Sequence, residues 1–402
     1  MRSRQGPTTQ RVRQNQSPCL PEAVLLLRHS ACSAGRRNQC RHAPSSIEVT
    51  TVVSQEKFRA SLMGVLLGTA VGDALGLPAE GMSHQRIQRR WHGQWRHRFL
   101  FGRGMTSDDT EHTLFVAQAL LAHPNDPAAF QSCLAWKLRL WLLGIPAGIG
   151  FATLRAILKL WLGFPPMQSG VSSAGNGPAM RSAILGAYFF DEPEKRLEFV
   201  AAATILTHTD RRAMTAALAV AEAAAFAMRR DESIDAWLSA LPGLGHEEEW
   251  RVLCREMVDA LCAKRSVETF AESLGLRRGV TGYAFHSVPV ALYAWLRHRG
   301  DFRAALESAL NCGGDTDSVG AIAGALAGAD VGAKSIPFEW RSGICEWPRS
   351  NRFLEQVAKR LATQKVSGRP LGAVRYFWPG LIFRNTVFLA SVLLHGFRRL
   401  LP

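Results

Sequence analysis

The sequence predicts an all-α fold, and two observations carry this prediction. From Phe58 onward apolar residues recur at helical spacing, and no stretch of the body has the apolar–polar alternation typical of a strand. With 402 residues, 47% of them apolar, the chain can also bury a large core. A core of this size that lacks sheets must be built from helices packed on helices.

The first helix of the body has a face of small residues. Glycine recurs at every fourth position in two parts of the chain, at Gly64, Gly68, Gly72 and Gly76 and again at Gly320, Gly324 and Gly328. Each glycine costs a soluble helix about 0.5–1 kcal/mol relative to alanine, so the two series need a reason. We expect two small-faced helices in the middle of the domain, in contact with each other. Pro78 should end the first helix and leave Glu80 on a loop that can reach into a cleft.

The next informative stretch is an acidic cluster, Thr106-Ser107-Asp108-Asp109-Thr110. Adjacent carboxylates repel each other, so such a pair needs a cation or a helix N-terminus to stabilise it. The cluster therefore indicates either a metal site or an ordinary helix cap. Helical spacing then continues through most of the chain, and we predict helices over 114–121, 127–143, 149–162, 214–228 and 247–262, with a last one ending at Arg297.

Two loops between these helices carry polar groups that suit a ligand. The stretch Gly175-Asn176-Gly177 precedes a helix, where exposed backbone N–H groups bind phosphate oxygens well. Asn-Gly also marks an ordinary turn. His208, in Thr207-His208-Thr209-Asp210, either contacts a ligand or caps and packs the long helix that follows.

A second acidic cluster lies about two hundred residues after the first. Gly313 and Gly314 lead into Asp315, Asp317 and Ser318, which open a helix of small residues. Hard divalent cations favour carboxylate and hydroxyl ligands, and a capping role alone would not explain three such side chains. Two clusters at two helix mouths suggest six ligands for a pair of Mg²⁺ or Mn²⁺ ions, with two unrelated caps as the alternative.

Taken together in this order, the motifs resemble the ADP-ribosylglycohydrolase family, which includes dinitrogenase reductase-activating glycohydrolase. The segments that carry the resemblance are 72–76 with Glu80, 107–110, 175–181, 207–210 and 313–318. They extend over roughly residues 57–340. The resemblance implies a compact, orthogonal multi-helix domain with a dinuclear metal cleft at its centre, and hydrolysis at the ribosyl C1 of an ADP-ribosylated protein or small compound.

The resemblance also implies roles for individual residues. The metal ligands would be Ser107, Asp108, Asp109, Asp315, Asp317 and Ser318. Substrate contacts would come from Asp73, Gly175, Asn176, Gly177, His208, Gly313 and Gly314. The catalytic carboxylate would be Glu80, Asp109 or Asp317, which the sequence does not rank. Arg211 stands where the family pattern has proline. Hydrolysis of another ribosyl or nucleotide compound, and ADP-ribose binding without catalysis, stay open as alternatives.

Charge divides the chain into three parts. The formal net charge of +15 belongs to a basic, disordered N-terminal extension over residues 1–50 and to a basic, apolar C-terminal extension over residues 346–402. The family-like helical domain between them, residues 55–345, is close to neutral, so no nucleic-acid groove is expected there. The C-terminal extension has no uncharged run long enough to span a bilayer, and we expect it to contact a membrane surface or a protein.

Cysteine usage indicates the compartment. The eight cysteines form no CxxC pair and no regular spacing, which is typical of reduced thiols in a cytoplasmic protein. We expect such a protein to act as a monomer.

Overall fold

The structure, a computed structural model, describes residues 46–229 and 232–400, with side chains from residue 55 to 397 apart from the same gap. Apart from residues 46–50, the predicted N-terminal extension lies outside the described residues. From Ile47 onward the described residues belong to one compact unit.

The all-α prediction is confirmed. The described residues form eighteen α-helices: α1 Ser46–Gly76, α2 His84–Trp91, α3 Asp108–Ala122, α4 Pro127–Leu143, α5 Phe151–Trp161, α6 Pro166–Ser169, α7 Ala183–Tyr188, α8 Pro193–Ile205, α9 Arg211–Met228, α10 Ile234–Ala240, α11 Glu248–Cys262, α12 Val267–Ser273, α13 Ala284–Arg297, α14 Phe302–Asn311, α15 Thr316–Val331, α16 Phe338–Gly343, α17 Asn351–Ser367 and α18 Gly380–Leu400. The sequence did not indicate the one small antiparallel pair of two-residue strands, β1 Met82–Ser83 and β2 Gly313–Gly314.

The centre of the unit is the packing of α1 against α15. A Cβ atom added at Gly64, Gly68 or Gly72 would lie about 2 Å from a carbonyl oxygen of Gly328, Gly324 or Gly320, respectively. The two glycine series therefore face each other, as the four-residue spacing predicts. The alanine-rich helix α9 packs on the other side of α15 and also contacts α7 and α13.

This packing places the N-termini of α3 and α15 close to each other. Helix α1 ends at Gly76, and a 3₁₀ turn over Leu77–Ala79 that contains Pro78 delivers Glu80 to a loop, as predicted. Strand pairing of Met82–Ser83 with Gly313–Gly314 then ties that loop to the start of α15. Helix α3 begins at Asp108, earlier than the predicted Leu114, so Asp108 and Asp109 form its first turn.

The C-terminal part of the chain packs on the same unit. Helix α17 lies against α3, where the Gln364 side-chain amide donates to the Leu120 carbonyl. Helix α18 reaches the loop before α3 through Arg384. Among the described residues, two helical segments are long and apolar enough to cross a membrane by length and composition: Gln55–Ala79, which is 89% buried, and Gly380–Phe397, which is only 33% buried. The first segment is therefore part of the core and belongs mainly to helix α1, whereas the second, which lies in α18, is mostly exposed.

Candidate active site

Asp73 on α1 holds the backbone of the first acidic cluster in place through hydrogen bonds. Asp73 is fully buried, and its carboxylate accepts hydrogen bonds from the Ser107 backbone N–H at 2.9 Å and from the Thr110 hydroxyl at 2.5 Å. The Thr110 backbone N–H adds a third donor at 3.2 Å. Burial raises the pKa of Asp73 to about 6, against the opposing effect of these donors. The side chain thus fixes the turn that presents Asp108 and Asp109.

Asp109 connects the two acidic clusters. Its Oδ2 accepts hydrogen bonds from the Ser107 hydroxyl at 3.1 Å and from the Ser318 hydroxyl at 3.3 Å. Residues 109 and 318 are 209 positions apart in the chain, so the fold brings the two clusters into contact. The other oxygen, Oδ1, is buried without a hydrogen-bond partner among the described residues. A buried carboxylate oxygen with no donor is costly unless a cation or a ligand satisfies it.

The second cluster is held by a glycine turn. Gly313 and Gly314 both have positive φ, at 71° and 83°, a conformation that favours glycine. A Cβ at Gly314 would lie 1.9 Å from the Val280 carbonyl oxygen. That carbonyl also accepts a hydrogen bond from the Asp315 backbone N–H at 2.8 Å, which fixes the start of α15. Asp315 then receives the Asn176 side-chain amide on Oδ2 at 2.7 Å.

Negative charge is concentrated at this point. Burial raises the pKa of Asp109 well above its ordinary value, and the charges of Asp108, Asp73 and Asp315 raise it further. The pKa of Asp317 is raised in the same direction by burial and by the charge of Glu80. Carboxyls in this state favour a proton or a bound cation over free ionisation.

The opposite wall is formed by the loop before α7 and by His208. The backbone of Asn176 donates to the Gly282 carbonyl at 3.0 Å, and His208 Nδ1 lies 2.9 Å from the Thr207 hydroxyl. Burial, together with the nearby Arg181 guanidinium, lowers the pKa of His208 to about 3, so the imidazole is neutral. A Cβ added at Gly175 or Gly177 would lie only 3.2 or 3.1 Å from the imidazole ring.

These elements enclose an open cleft of about 550 Å³. Eleven of the predicted site residues line it: Glu80, Asp108, Asp109, Gly175, Asn176, Gly177, His208, Gly314, Asp315, Asp317 and Ser318. Asp73, Ser107 and Gly313 lie outside its lining. Asp73 accepts a hydrogen bond from the Ser107 backbone N–H, and the Ser107 hydroxyl in turn donates to Asp109. Gly313 belongs to the glycine turn before α15. The predicted substrate contact of Asp73 stays a prediction, since its carboxylate is occupied by backbone and hydroxyl donors.

The cleft also contains residues that sequence reasoning missed. Phe151 and Thr153 on the first turn of α5, Ser173, and the segment 280–282 all line it. Phe151 is 74% exposed at the rim. A local signal was available, because Phe151 directly follows Gly148 and Gly150 and glycine is unfavourable inside a helix. Periodicity nevertheless placed Gly150 within the predicted helix 149–162. Arg211, where the family pattern has proline, occupies the first position of α9 behind the Asp210 cap, a position that proline favours and that other residues tolerate.

Comparison with known proteins agrees with this geometry. The model of the ADP-ribosylglycohydrolase family matches residues 54–370. An uncharacterised protein of Archaeoglobus fulgidus is 33% identical over 76% of this chain and 96% of its own length. The ADP-ribosyl-[dinitrogen reductase] glycohydrolase of Rhodospirillum rubrum is 27% identical over 70% of this chain and 89% of its own. The ADP-ribosylhydrolase ARH3 of Xenopus tropicalis is 26% identical over 71% and 90%.

A solved structure gives the same result. An ADP-ribosylglycohydrolase-related protein complex is similar with a TM-score of 0.56 and 28% identity, covering 77% of this chain and 99% of that chain. The matched region contains both acidic clusters and the loop of His208. The chain therefore belongs to the ADP-ribosylglycohydrolase family and is a hydrolase.

Proposed function

We propose that the protein hydrolyses the bond between the ribose C1 of an ADP-ribosyl group and its acceptor atom, releasing ADP-ribose. The observation that carries this proposal is the contact of two distant acidic clusters in one open cleft, through Asp109 and Ser318. The names of two relatives refer to removal of ADP-ribose, one of them from dinitrogen reductase. On this basis we propose that the substrate of this protein is an ADP-ribosylated protein or a small ADP-ribosyl compound.

We further propose that the cleft holds two Mg²⁺ or Mn²⁺ ions. Their ligands would be Ser107, Asp108 and Asp109 from one cluster and Asp315, Asp317 and Ser318 from the other. The fit rests on the unpartnered Oδ1 of Asp109, on the raised carboxyl pKa values and on the all-oxygen donor set. When bound, such ions would lower the pKa of a water molecule and hold ribose hydroxyls.

No three His, Cys, Asp or Glu side chains within 46–229 and 232–400 already converge as a metal-binding group. Two of the six proposed ligands are serine hydroxyls, Ser107 and Ser318. We therefore propose a mixed ligand set of four carboxylates and two hydroxyls, drawn from both clusters.

Among the three candidate bases we favour Glu80. Asp109 and Asp317 belong to the proposed ligand set, and a carboxylate that binds a divalent cation is a weaker base. Glu80 lies at the cleft on an exposed loop, and its charge acts on Asp317. Its side chain can accept the proton of an attacking water while the oxocarbenium-like state forms at C1.

Two groups of the opposite wall suit the substrate. The neutral imidazole of His208 can donate or accept a single hydrogen bond without adding charge. The backbone N–H of Asn176 and its side-chain amide are already bonded within the protein. Asn176 would therefore orient Asp315, and Gly177 would allow close approach of the diphosphate. Aromatic Phe151 at the rim can stack on the adenine ring.

The decisive experiment is the double substitution Asp315→Asn with Asp317→Asn. The protein and the variant are incubated with Arg-linked, Ser-linked and O-acetyl ADP-ribose in the presence of Mg²⁺ or Mn²⁺, and free ADP-ribose is measured. We expect release by the unmodified protein from at least one linkage and a loss of at least about a thousandfold in the variant. A matched control replaces two exposed aspartates, Asp235→Asn with Asp259→Asn, and should keep full activity.

Full activity of the Asp315–Asp317 variant would refute the site assignment. Tight ADP-ribose binding with no release from any linkage would instead indicate a binding protein. Release from a different ribosyl compound alone would keep the chemistry and change the substrate class.

We also propose a reducing, cytoplasmic location. The five cysteines in the described residues, Cys133, Cys254, Cys262, Cys312 and Cys345, are all free thiols. Free thiols of this kind are usual where glutathione and thioredoxin act.

A further inference from the structure

Helix α18, Gly380–Leu400, packs on the body through a face that contains both polar side chains and the buried apolar side chains of Leu381 and Phe388. Arg384, Asn385 and Ser391 are all nearly buried, at 6%, 4% and 6% exposure. Arg384 pairs with Glu346 at 2.7 Å and donates to the Thr106 carbonyl, next to the first acidic cluster. Asn385 donates to the Gly144 carbonyl at 2.7 Å. These contacts hold the helix in a fixed rotation about its own axis.

The outward face is apolar from Ile382 to Phe397 apart from Thr386. Its exposed residues follow a spacing of three and four and form one stripe: Ile382, Phe383, Thr386, Leu389, Ala390, Leu393, Leu394 and Phe397. The larger ones are strongly exposed, for example Phe383 at 67% and Phe397 at 66%. At a rise of 1.5 Å per residue the stripe is roughly 24 Å long. The hydroxyl of Thr386, its one polar side chain, is bonded to the Ile382 carbonyl at 2.9 Å.

Aromatic residues extend this face at the start of the helix. Phe377 is 61% exposed and Trp347 is 53% exposed, with their ring centroids 5.9 Å apart, and Trp378 follows at 37%. Tryptophan and other aromatic rings favour the headgroup level of a bilayer. An exposed apolar stripe of this size is unusual for a protein surface that only contacts water.

The stretch of sequence that includes α18 has no acidic residue. Residues 356–402 contain eight Lys or Arg and no Asp or Glu. Arg369 and Arg375 are exposed just before α18, and the sequence has Arg398 and Arg399 at its end. Each basic residue near an anionic membrane surface contributes about 1 kcal/mol of attraction.

We propose that the outward face of α18 binds the surface of an anionic lipid bilayer, with the helix parallel to the membrane plane. The apolar stripe enters the boundary between headgroups and acyl chains, while the flanking arginines contact anionic headgroups. A second copy of the chain is a poorer occupant, because an antiparallel pair of α18 helices would bring basic ends together with no acid within the segment. A spanning orientation would pull Arg384 away from Glu346 and Glu111.

The test is flotation of the full chain with lipid vesicles. One set of vesicles contains phosphatidylcholine and phosphatidylglycerol, and the other contains phosphatidylcholine alone. We expect binding to the anionic vesicles that is at least about tenfold stronger than to the neutral ones and that falls as salt is raised. The variant Phe383→Ser/Leu393→Ser/Phe397→Ser should lose at least about tenfold in partition.

The matched control removes three exposed apolar side chains from other helices, Leu197→Ser/Val252→Ser/Phe338→Ser. It should bind anionic vesicles like the unmodified protein. Equal binding by the α18 variant, or equal binding to neutral and anionic vesicles, would overturn the proposal. A dimer in solution that the α18 variant abolishes would assign the face to a second copy. Retention after an alkaline carbonate wash would assign it to a spanning helix.

These readouts do not involve hydrolysis, so they are independent of the proposed activity. If the α18 variant failed to fold, the lipid selectivity and salt dependence of the unmodified protein would still decide the question.

Discussion

At the scale of single residues, Asp73 shows how a buried carboxylate can support a site without lining it. Its two oxygens accept hydrogen bonds from three donor groups of Ser107 and Thr110, and these donors set the position of the first turn of α3. The carboxylates that face the cleft repel one another. The charge of Asp73 adds to this repulsion, so its contribution to the site is the fixed position of the turn and not a lower electrostatic cost.

The substitution Asp73→Asn tests this positioning role. An amide NH₂ group would face backbone N–H donors, so we expect a loss of about 1–3 kcal/mol in the free energy of unfolding, measured with urea. Mn²⁺ affinity, measured by calorimetry, should fall as well because the turn of Asp108 and Asp109 is no longer fixed. Thr110→Val removes one donor only and should have a smaller effect on both quantities. Unchanged stability and Mn²⁺ affinity, with weaker substrate binding alone, would instead support a direct substrate contact.

Among helices, the pairing of α1 with α15 determines where the acidic clusters meet. Glycines on both helices allow backbone-to-backbone contact, so the two helix axes lie closer than larger side chains would permit. Close packing brings the end of α1 beside the start of α15, and the Thr316 hydroxyl donates to the Gly76 carbonyl at 2.8 Å. The geometry of the cleft therefore depends on a helix interface away from its chemistry.

Gly68→Ala tests that dependence. The new Cβ would lie 2.0 Å from the Gly324 carbonyl oxygen, and no flexible side chain is there to move away. We expect destabilisation of at least about 3 kcal/mol, seen as a lower midpoint of urea unfolding. The control Gly396→Ala has no heavy atom within 4 Å of the added Cβ. It should be neutral or stabilising by up to about 1 kcal/mol. A wild-type midpoint for Gly68→Ala would show that the two helices can separate freely.

For the molecule as a whole, the C-terminal segment is part of the structure that supports the site. Arg384 on α18 contacts Glu346 and the Thr106 carbonyl, and Glu111 on α3 pairs with Arg349. These buried charges lie directly behind the first acidic cluster. The family model ends at residue 370, ten residues before α18 begins. The packing of α18 is therefore a feature that the matched family region does not include.

The substitution Arg384→Met measures how much the packing of α18 contributes to the free energy of unfolding. Removal of the guanidinium leaves the nearly buried Glu346 carboxylate without its partner, and we expect a loss of about 3–5 kcal/mol in the free energy of unfolding. The double variant Arg384→Met/Glu346→Gln removes both charges and should be less destabilised than the sum of the two single variants. Additive losses in this double-mutant cycle would mean that the pair is not coupled. An unchanged unfolding midpoint for Arg384→Met would show that α18 is not packed on the body.

The amino-acid sequence was enough to predict the all-α class, several of the longer helices, the glycine faces and both acidic clusters, because helical periodicity, glycine spacing and charged side chains at helix starts are local patterns. It did not identify Phe151 or Thr153 on the cleft wall, since the glycines before Phe151 are a weak local signal and only the fold brings the start of α5 to the cleft. It also could not assign the inward face of α18. Periodicity shows that a helix has two faces but not which one packs on the body. The pairing of Arg384 with Glu346 and Glu111 and the burial of Phe388 depend on residues that are distant in the sequence, and these contacts leave the stripe of Ile382 to Phe397 exposed.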